Sequence, residues 1–149
     1  MVGAMPYAIG IDMLAIPRLQ RVMERHNERF LKRVYTPEEV AFCRGRVAEL
    51  AARFAAKEAV MKALGTGTHG VGWRDIEVLP DRRGKPLVYL YGRAKERAER
   101  IGLRALDISL THERDFAIAS VVGVREVAAE DPQESRTRLV RRLKERGLL

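Results

Sequence analysis

The chain has 149 residues and a formal net charge of +8, so it has the size of one ordinary domain and predicts a negatively charged partner. Its single cysteine, Cys43, excludes an intramolecular disulfide and a cysteine-based zinc cage, which favours a reducing, cytoplasmic compartment. The longest apolar run is too short to span a bilayer, and we expect no membrane partner.

The first predicted elements are a strand and a helix with a basic side. Residues 7–11 are apolar and end on Asp12, and Pro17 occupies a first-turn position of the helix that follows. Four arginines share one side of this helix, where they would bind carboxylates or phosphates. They are Arg18, Arg21, Arg25 and Arg29. A solvated face balanced by neighbouring glutamates is the alternative interpretation.

A long helix over residues 47–64 carries the most informative charges. It follows a shorter helix whose start is predicted by the capping box at Thr36. Arg53 and Lys57 fall within its bulky apolar arc, and Glu58 and Lys62 lie at the border of that arc. Because unpaired buried ions are costly, these charges predict an ordered anionic ligand, with Glu58 holding a bridging cation. The alternative is an ordinary ion pair between Glu58 and Lys62, with the aliphatic parts of the basic side chains buried and their charged ends in solvent.

The rest of the chain alternates glycine-rich turns with short elements. Residues 65–72 hold four glycines, which suit either a ligand-binding loop or a plain helix end. Strands are predicted over residues 73–79, 86–91, 106–111 and 116–124, and helices over residues 92–101 and from Asp131 onwards. His112 lies at the mouth of the last hairpin.

Asp12 and Glu58 are the candidate metal ligands. Two carboxylates that leave room for water and phosphate oxygens suit magnesium, which serves phosphoryl transfer by offsetting charge on the reacting phosphate. The spacing of the two residues leaves open whether they meet.

Several motifs together resemble a known family. They are Ile-Gly-Ile-Asp at residues 9–12, Arg-Phe-Ala-Ala-Lys-Glu-Ala at 53–59, Lys-Ala-Leu-Gly-Thr-Gly at 62–67, Gly-Lys-Pro at 84–86 and Asp-Ile-Ser-Leu-Thr-His at 107–112. In this order they resemble holo-acyl-carrier-protein synthase, the small 4'-phosphopantetheinyl transferases. The resemblance implies an α+β fold, with a small antiparallel sheet packed against a long central helix and shorter helices. That domain would span residues 1–125, and residues 126–149 would form a helical extension of unknown role.

The resemblance also implies roles for single residues. Asp12 and Glu58 would hold Mg²⁺, and Lys62 would stabilise or protonate the departing 3',5'-ADP. Glu58 or a metal-bound water would take the proton of the serine. A further set, together with Lys62, would surround coenzyme A. Its members are Arg53, Gly65, Thr66, Gly67, Gly84, Lys85, Pro86, Thr111 and His112.

The partners follow from the same resemblance. An acidic acyl carrier protein would dock on Arg18, Arg21 and Arg25, and the enzyme would be a homotrimer whose active sites are shared between subunits. Its activity would support fatty acid biosynthesis. Two alternatives remain from the sequence: a basic nucleic-acid-binding protein, which leaves Asp12 and Glu58 without a purpose, and an inactive relative that only binds coenzyme A.

Overall fold

The computed structural model describes residues 7–126 and 130–149. Its strands and helices follow one another in a mixed order that matches the predicted α+β class. They are β1 (Tyr7–Ala15), α1 (Ile16–Val34), α2 (Pro37–Cys43), α3 (Val47–Leu64), β2 (Ile76–Pro80), β3 (Pro86–Leu90), α4 (Gly92–Arg100), β4 (Leu103–His112), β5 (Phe116–Arg125) and α5 (Pro132–Glu145). No helix in these ranges is long and apolar enough to cross a membrane.

The strands form two antiparallel sheets. The larger has the order β1-β5-β4, and β2 pairs with β3 in a separate hairpin. One face of the larger sheet packs against α3, which is buried along most of its length. The sequence prediction of a small antiparallel sheet on a long central helix is confirmed.

Gly10 explains how closely strand and helix approach. A Cβ atom at this position would lie 1.8 Å from the carbonyl oxygen of Ala59, so any side chain would force β1 away from α3. Alternate residues of a strand point to the same face, and Asp12 therefore also faces the helix. The small residue at position 10 thus holds the Asp12 carboxylate against α3.

The structure corrects two predicted strand boundaries. β1 continues through Asp12 to Ala15, because Met13 and Leu14 still pair with β5. Trp73 lies in a short 3-10 helix, Trp73–Asp75, and β2 begins only at Ile76. Asp12 is consequently an interior residue of an edge strand and does not mark the end of that strand.

The other face of the larger sheet is exposed, and it is apolar along much of β1 and β5 and polar along β4. We call it the outer face. It presents Ile9 and Ile11 of β1, which are 73% and 63% exposed, beside Val122 and Val124 of β5. A contiguous exposed apolar patch of this kind is typical of a protein–protein interface.

Candidate active site

Asp12 and Glu58 meet where β1 crosses α3. The Asp12 side chain lies close enough to Glu58 to affect its ionisation, and it is only 13% exposed. Burial, the hydrogen bond to Asp12 and the charge of Asp12 together raise the pKa of Glu58 from 4.5 to about 7, while the charges of Lys62 and Arg18 oppose the shift. Two crowded carboxylates form a site that favours a cation.

Lys62 completes this group from the next turn of α3. Its Nζ donates to the carbonyl oxygen of Ile11 at 2.7 Å and to Asp12 Oδ1 at 3.3 Å. The alternative of a Glu58–Lys62 ion pair is wrong for the described residues, because Lys62 pairs with Asp12 across the helix–strand contact. With 55% of its side chain exposed, Lys62 remains open to a ligand.

The donor set fits magnesium. Among residues 7–126 and 130–149, no three histidine, cysteine or acidic side chains gather at one point, so the protein would supply two carboxylates at most. Magnesium is bound in this way when water and substrate phosphates fill its remaining positions. The two carboxylates are therefore complementary to a magnesium ion that carries a phosphorylated ligand.

Lys57 has a partner inside the protein, contrary to the predicted anionic ligand. Its Nζ donates to Glu39 Oε1 at 2.7 Å, to the carbonyl oxygen of Trp73 at 3.1 Å and to that of Ile76. Lys57 and Glu39 are fully buried, and burial lowers the pKa of Lys57 while Glu39 opposes that change. The pair joins α3 to α2 and to β2.

Arg53 also differs from its expected role. Its Nε donates to the carbonyl oxygen of Val78 at 3.0 Å, and its Nη1 donates to Glu49 Oε2 at 2.8 Å. The guanidinium lies 4.5 Å from the centre of the Phe42 ring, and the residue is 2% exposed. Because the protein itself surrounds this guanidinium, Arg53 stabilises the packing of α3 and presents almost no surface to solvent.

The glycine loop begins at the end of α3. Gly65 has a left-handed backbone with φ of 73° and ends the helix, and the amide of Thr66 donates to the carbonyl oxygen of Met61. Gly67 is exposed, with φ of 56°. The predicted binding loop thus lies about one helical turn beyond Lys62, on the same helix as the two site residues.

Sequence reasoning missed Arg97 beside this loop. Its Nε donates to the carbonyl oxygen of Leu64 at 3.0 Å. The available signal was the spacing of Arg93, Arg97 and Arg100, which lie on one side of α4 at helical periodicity.

Of the remaining predicted coenzyme A residues, Lys85, Pro86 and Thr111 lie on the opposite side of the sheet, whereas His112 pairs with Ala117 and so belongs to the face that carries Asp12. Lys85 Nζ donates to Asp107 Oδ1 at 2.6 Å, and both line a shallow outer-face cavity of about 330 Å³ together with Pro86. Thr111 pairs with Ile118, which pairs with the exposed Met13, so Thr111 also belongs to the outer face. One copy of the chain therefore does not bring these three outer-face residues to Asp12 and Glu58.

The arginine-rich side of α1 is exposed and begins at the site. Arg18 contributes to the field at Glu58, and Arg21 and Arg25 follow along the helix. His26 has non-helical backbone angles, so a kink separates Arg29 from the other three. The prediction that all four arginines project to one side assumed an uninterrupted helix, and the structure interrupts it between Arg25 and Arg29.

Comparisons with known proteins identify the family to which the chain is similar. The 4'-phosphopantetheinyl transferase superfamily profile matches residues 8–121. A holo-[acyl-carrier-protein] synthase of Herpetosiphon aurantiacus is 46% identical over 122 residues, covering 77% of this chain and 96% of that protein. The enzyme of the same name from Moorella thermoacetica is 49% identical over 113 residues, covering 74% and 88%.

Solved structures give the same result at the level of fold. Helicobacter pylori holo-[acyl-carrier-protein] synthase in complex with coenzyme A superposes with a TM-score of 0.72 at 34% identity, covering 77% of this chain and 98% of that one. The Neisseria meningitidis enzyme gives a TM-score of 0.74 at 36% identity, covering 80% and 98%.

Proposed function

This chain belongs to the 4'-phosphopantetheinyl transferase superfamily, and from that premise we propose that it transfers the 4'-phosphopantetheine group of coenzyme A to a serine of an apo acyl carrier protein. The other product is 3',5'-ADP, and the reaction supports fatty acid biosynthesis. The observation that carries the proposal is the contact of Asp12 with Glu58, beside Lys62, on the helix that leads into the glycine loop.

Asp12 and Glu58 would hold Mg²⁺, which when bound offsets charge on the pyrophosphate of coenzyme A. The serine oxygen forms a bond to the phosphorus next to the pantetheine arm, and the bond from that phosphorus to the ADP oxygen breaks. The serine proton would pass to Glu58, directly or through a water, or to a metal-bound water. Lys62 donates a hydrogen bond to the departing oxygen, and its 55% exposure leaves its ammonium free to do so.

The carrier protein would dock on Arg18, Arg21 and Arg25. These side chains are exposed, they precede the kink at His26, and Arg18 lies close enough to influence Glu58. An acidic helix next to the modified serine would therefore place that serine at the metal site. Electrostatic attraction of this kind acts mainly on the rate of encounter and on orientation.

A homotrimer with shared sites would join the two separated groups of residues. The Asp12–Glu58 group lies on the helix-covered face of the sheet, whereas Lys85 and Thr111 lie on the outer face. The exposed apolar residues of the outer face support self-association. Contact between neighbouring copies would bring the outer-face residues of one to the metal site of the next.

Mixing two inactive variants tests the shared site. Glu58→Gln and Lys85→Ala each remove one half of the site, and mixed oligomers would contain some sites with both halves intact. We expect partial recovery of activity after the two proteins are unfolded and refolded together. Ile9→Asp should lower the sedimentation coefficient, while Leu139→Asp, at an exposed apolar position on α5, should not. Activity of monomers, or no recovery on mixing, would contradict the shared site.

The transfer itself is tested by intact-protein mass spectrometry of an apo acyl carrier protein. The carrier is incubated with this protein, coenzyme A and magnesium, beside a sample that contains EDTA. A mass gain of one phosphopantetheine group in the magnesium sample alone is the expected result. No gain with several apo carriers, together with retained coenzyme A binding, would favour the inactive coenzyme A-binding relative.

A further inference from the structure

The C-terminal helix α5 takes no part in the site described above. The superfamily profile ends at residue 121, before α5 begins at Pro132, and every residue assigned to the transfer lies between Asp12 and His112. None of the α5 residues, all of which the structure describes, is buried or joins the hydrophobic core. In the described part of the chain, α5 side chains form hydrogen bonds and ion pairs only within residues 130–138. The rest of the α5 surface is therefore available to a partner.

The second half of α5 and the residues after it are strongly basic. Residues 138–149 carry five basic side chains and one acidic side chain, a net charge of +4. Among residues 7–126 and 130–149, no carboxylate lies within ion-pair distance of Arg141, Arg142 or Lys144. The helix dipole favours cations in the last turn, but Arg141 precedes that turn. This concentration of positive charge predicts an anionic partner.

An apolar stripe lies within this basic surface. Leu143 follows Leu139 by four residues and Val140 by three, so the three side chains share one side of α5. Leu139 is 52% exposed, although the helix has no buried side that would explain an apolar stripe. Arg142 and Lys144 precede and follow Leu143, and at about 100° per residue they flank the stripe on its two sides. A partner on this surface would contact aliphatic side chains at its centre and cations at its edges.

The combination of charge and stripe favours an acidic protein as the partner. Residues 1–125 carry a net charge of +7, so the body of this chain, or of a second copy, would repel the basic half of α5. The backbone of a nucleic acid offers phosphates but little apolar surface to the stripe. Residues 130–149 contain no aromatic side chain of the kind that anchors interfacial helices in lipid. An acidic protein surface supplies carboxylates for bidentate contacts with guanidinium groups, together with apolar side chains for the stripe.

We propose that α5 is a second docking surface for the acidic acyl carrier protein, separate from the arginines of α1. This inference rests on the proposed function, which brings that acidic protein to the enzyme. The chain reaches α5 from the end of β5 that lies beside Tyr7, whereas α1 follows Ala15 at the opposite end of β1. Eight residues of strand separate these two ends, which is roughly 27 Å. The two docking surfaces therefore bind two different carrier molecules.

The test counts the carriers bound to the full-length protein. Apo acyl carrier protein is titrated into the protein by isothermal titration calorimetry at low ionic strength, without coenzyme A, so that no transfer takes place. Wild type is compared with three double variants, which are Arg141→Gln with Arg142→Gln on α5, Arg18→Glu with Arg25→Glu on α1, and the control Arg82→Gln with Lys95→Gln. The control removes the same two charges as the α5 variant, at exposed positions assigned to no binding surface.

We expect wild type and the control to bind two carriers per chain and the α1 and α5 variants to bind one. Loss of charged hydrogen bonds should weaken carrier binding at α5 about tenfold or more. Leu143→Gln keeps the charge of α5 and should also weaken this binding, because the partner contacts the apolar stripe. The kcat for transfer should be the same in the α5 variant and in wild type.

A wild-type protein that binds one carrier per chain would overturn the inference, and so would an α5 variant that still binds two. A wild-type protein that binds one carrier, and that binds duplex DNA or anionic lipid vesicles through Arg141 and Arg142, would assign α5 to those partners instead. Absence of phosphopantetheine transfer by wild type would contradict the proposed function, and the number of bound carriers would still decide the role of α5.

Discussion

Replacing Glu58 with glutamine should stabilise the metal-free protein. Burial and Asp12 raise the pKa of Glu58 from 4.5 to about 7 in the folded chain. Between these two pH values the folded state retains a proton that the unfolded state has released. The free energy of unfolding therefore falls as pH rises through this window, and the penalty is complete above pH 7. Glutamine at this position removes the penalty.

The size of this stabilisation follows from the difference between the pKa values of Glu58 in the folded and unfolded chain. A pKa change from 4.5 to about 7 corresponds to at most about 3.4 kcal/mol. Because Glu58 is partly exposed and solvent screens its charge, we expect about 1 kcal/mol. For a chain of this length that is a rise in Tm of roughly 2–4 °C.

The assay is thermal unfolding at equal protein concentration, at pH 5 and pH 8, with and without magnesium. Glu58→Gln should melt above wild type at pH 8 without metal and close to it at pH 5. Magnesium should raise the Tm of wild type alone, because only wild type retains both carboxylates. Glu96→Gln, a change of the same type at an exposed position of α4, should have no effect at either pH. A metal-free Glu58→Gln protein that melts below wild type at pH 8 would refute the reasoning, as would near-full magnesium-dependent activity of this variant.

Three further changes test other parts of the structure. Charge reversal of Arg18 and Arg25 to glutamate should raise KM for the carrier protein and leave KM for coenzyme A unchanged; equal effects on both would exclude α1 as the docking surface. Lys57→Met should cost about 3–5 kcal/mol in urea unfolding, since it leaves Glu39 buried without its ion pair. The double variant with Glu39→Gln should recover part of that loss, and no recovery would mean that the two residues act independently. Gly10→Ala should prevent stable folding through the clash with α3, and a soluble protein with wild-type Tm would contradict that contact.

Short-range sequence patterns were sufficient to predict most helices and strands of this fold. The capping box at Thr36 forms as predicted, with Thr36 accepting from the amide of Glu39 and Glu39 accepting from the amide of Thr36. The alanine-rich α3 is buried on nearly all sides, as its composition indicates. These features depend on residues within a few positions of one another, so the sequence specifies them directly.

Only the tertiary structure shows which groups pair with the charged residues of α3. The sequence placed four charges on an apolar helix, and the structure divides them between a core pair, Lys57 with Glu39, and an open site at Glu58. Lys62 pairs with Asp12, which is 50 residues away in the chain, and does not pair with Glu58 one turn away. Helical periodicity fixes the side on which a residue lies, whereas only the packing of β1 and α2 against α3 decides which distant group that side meets.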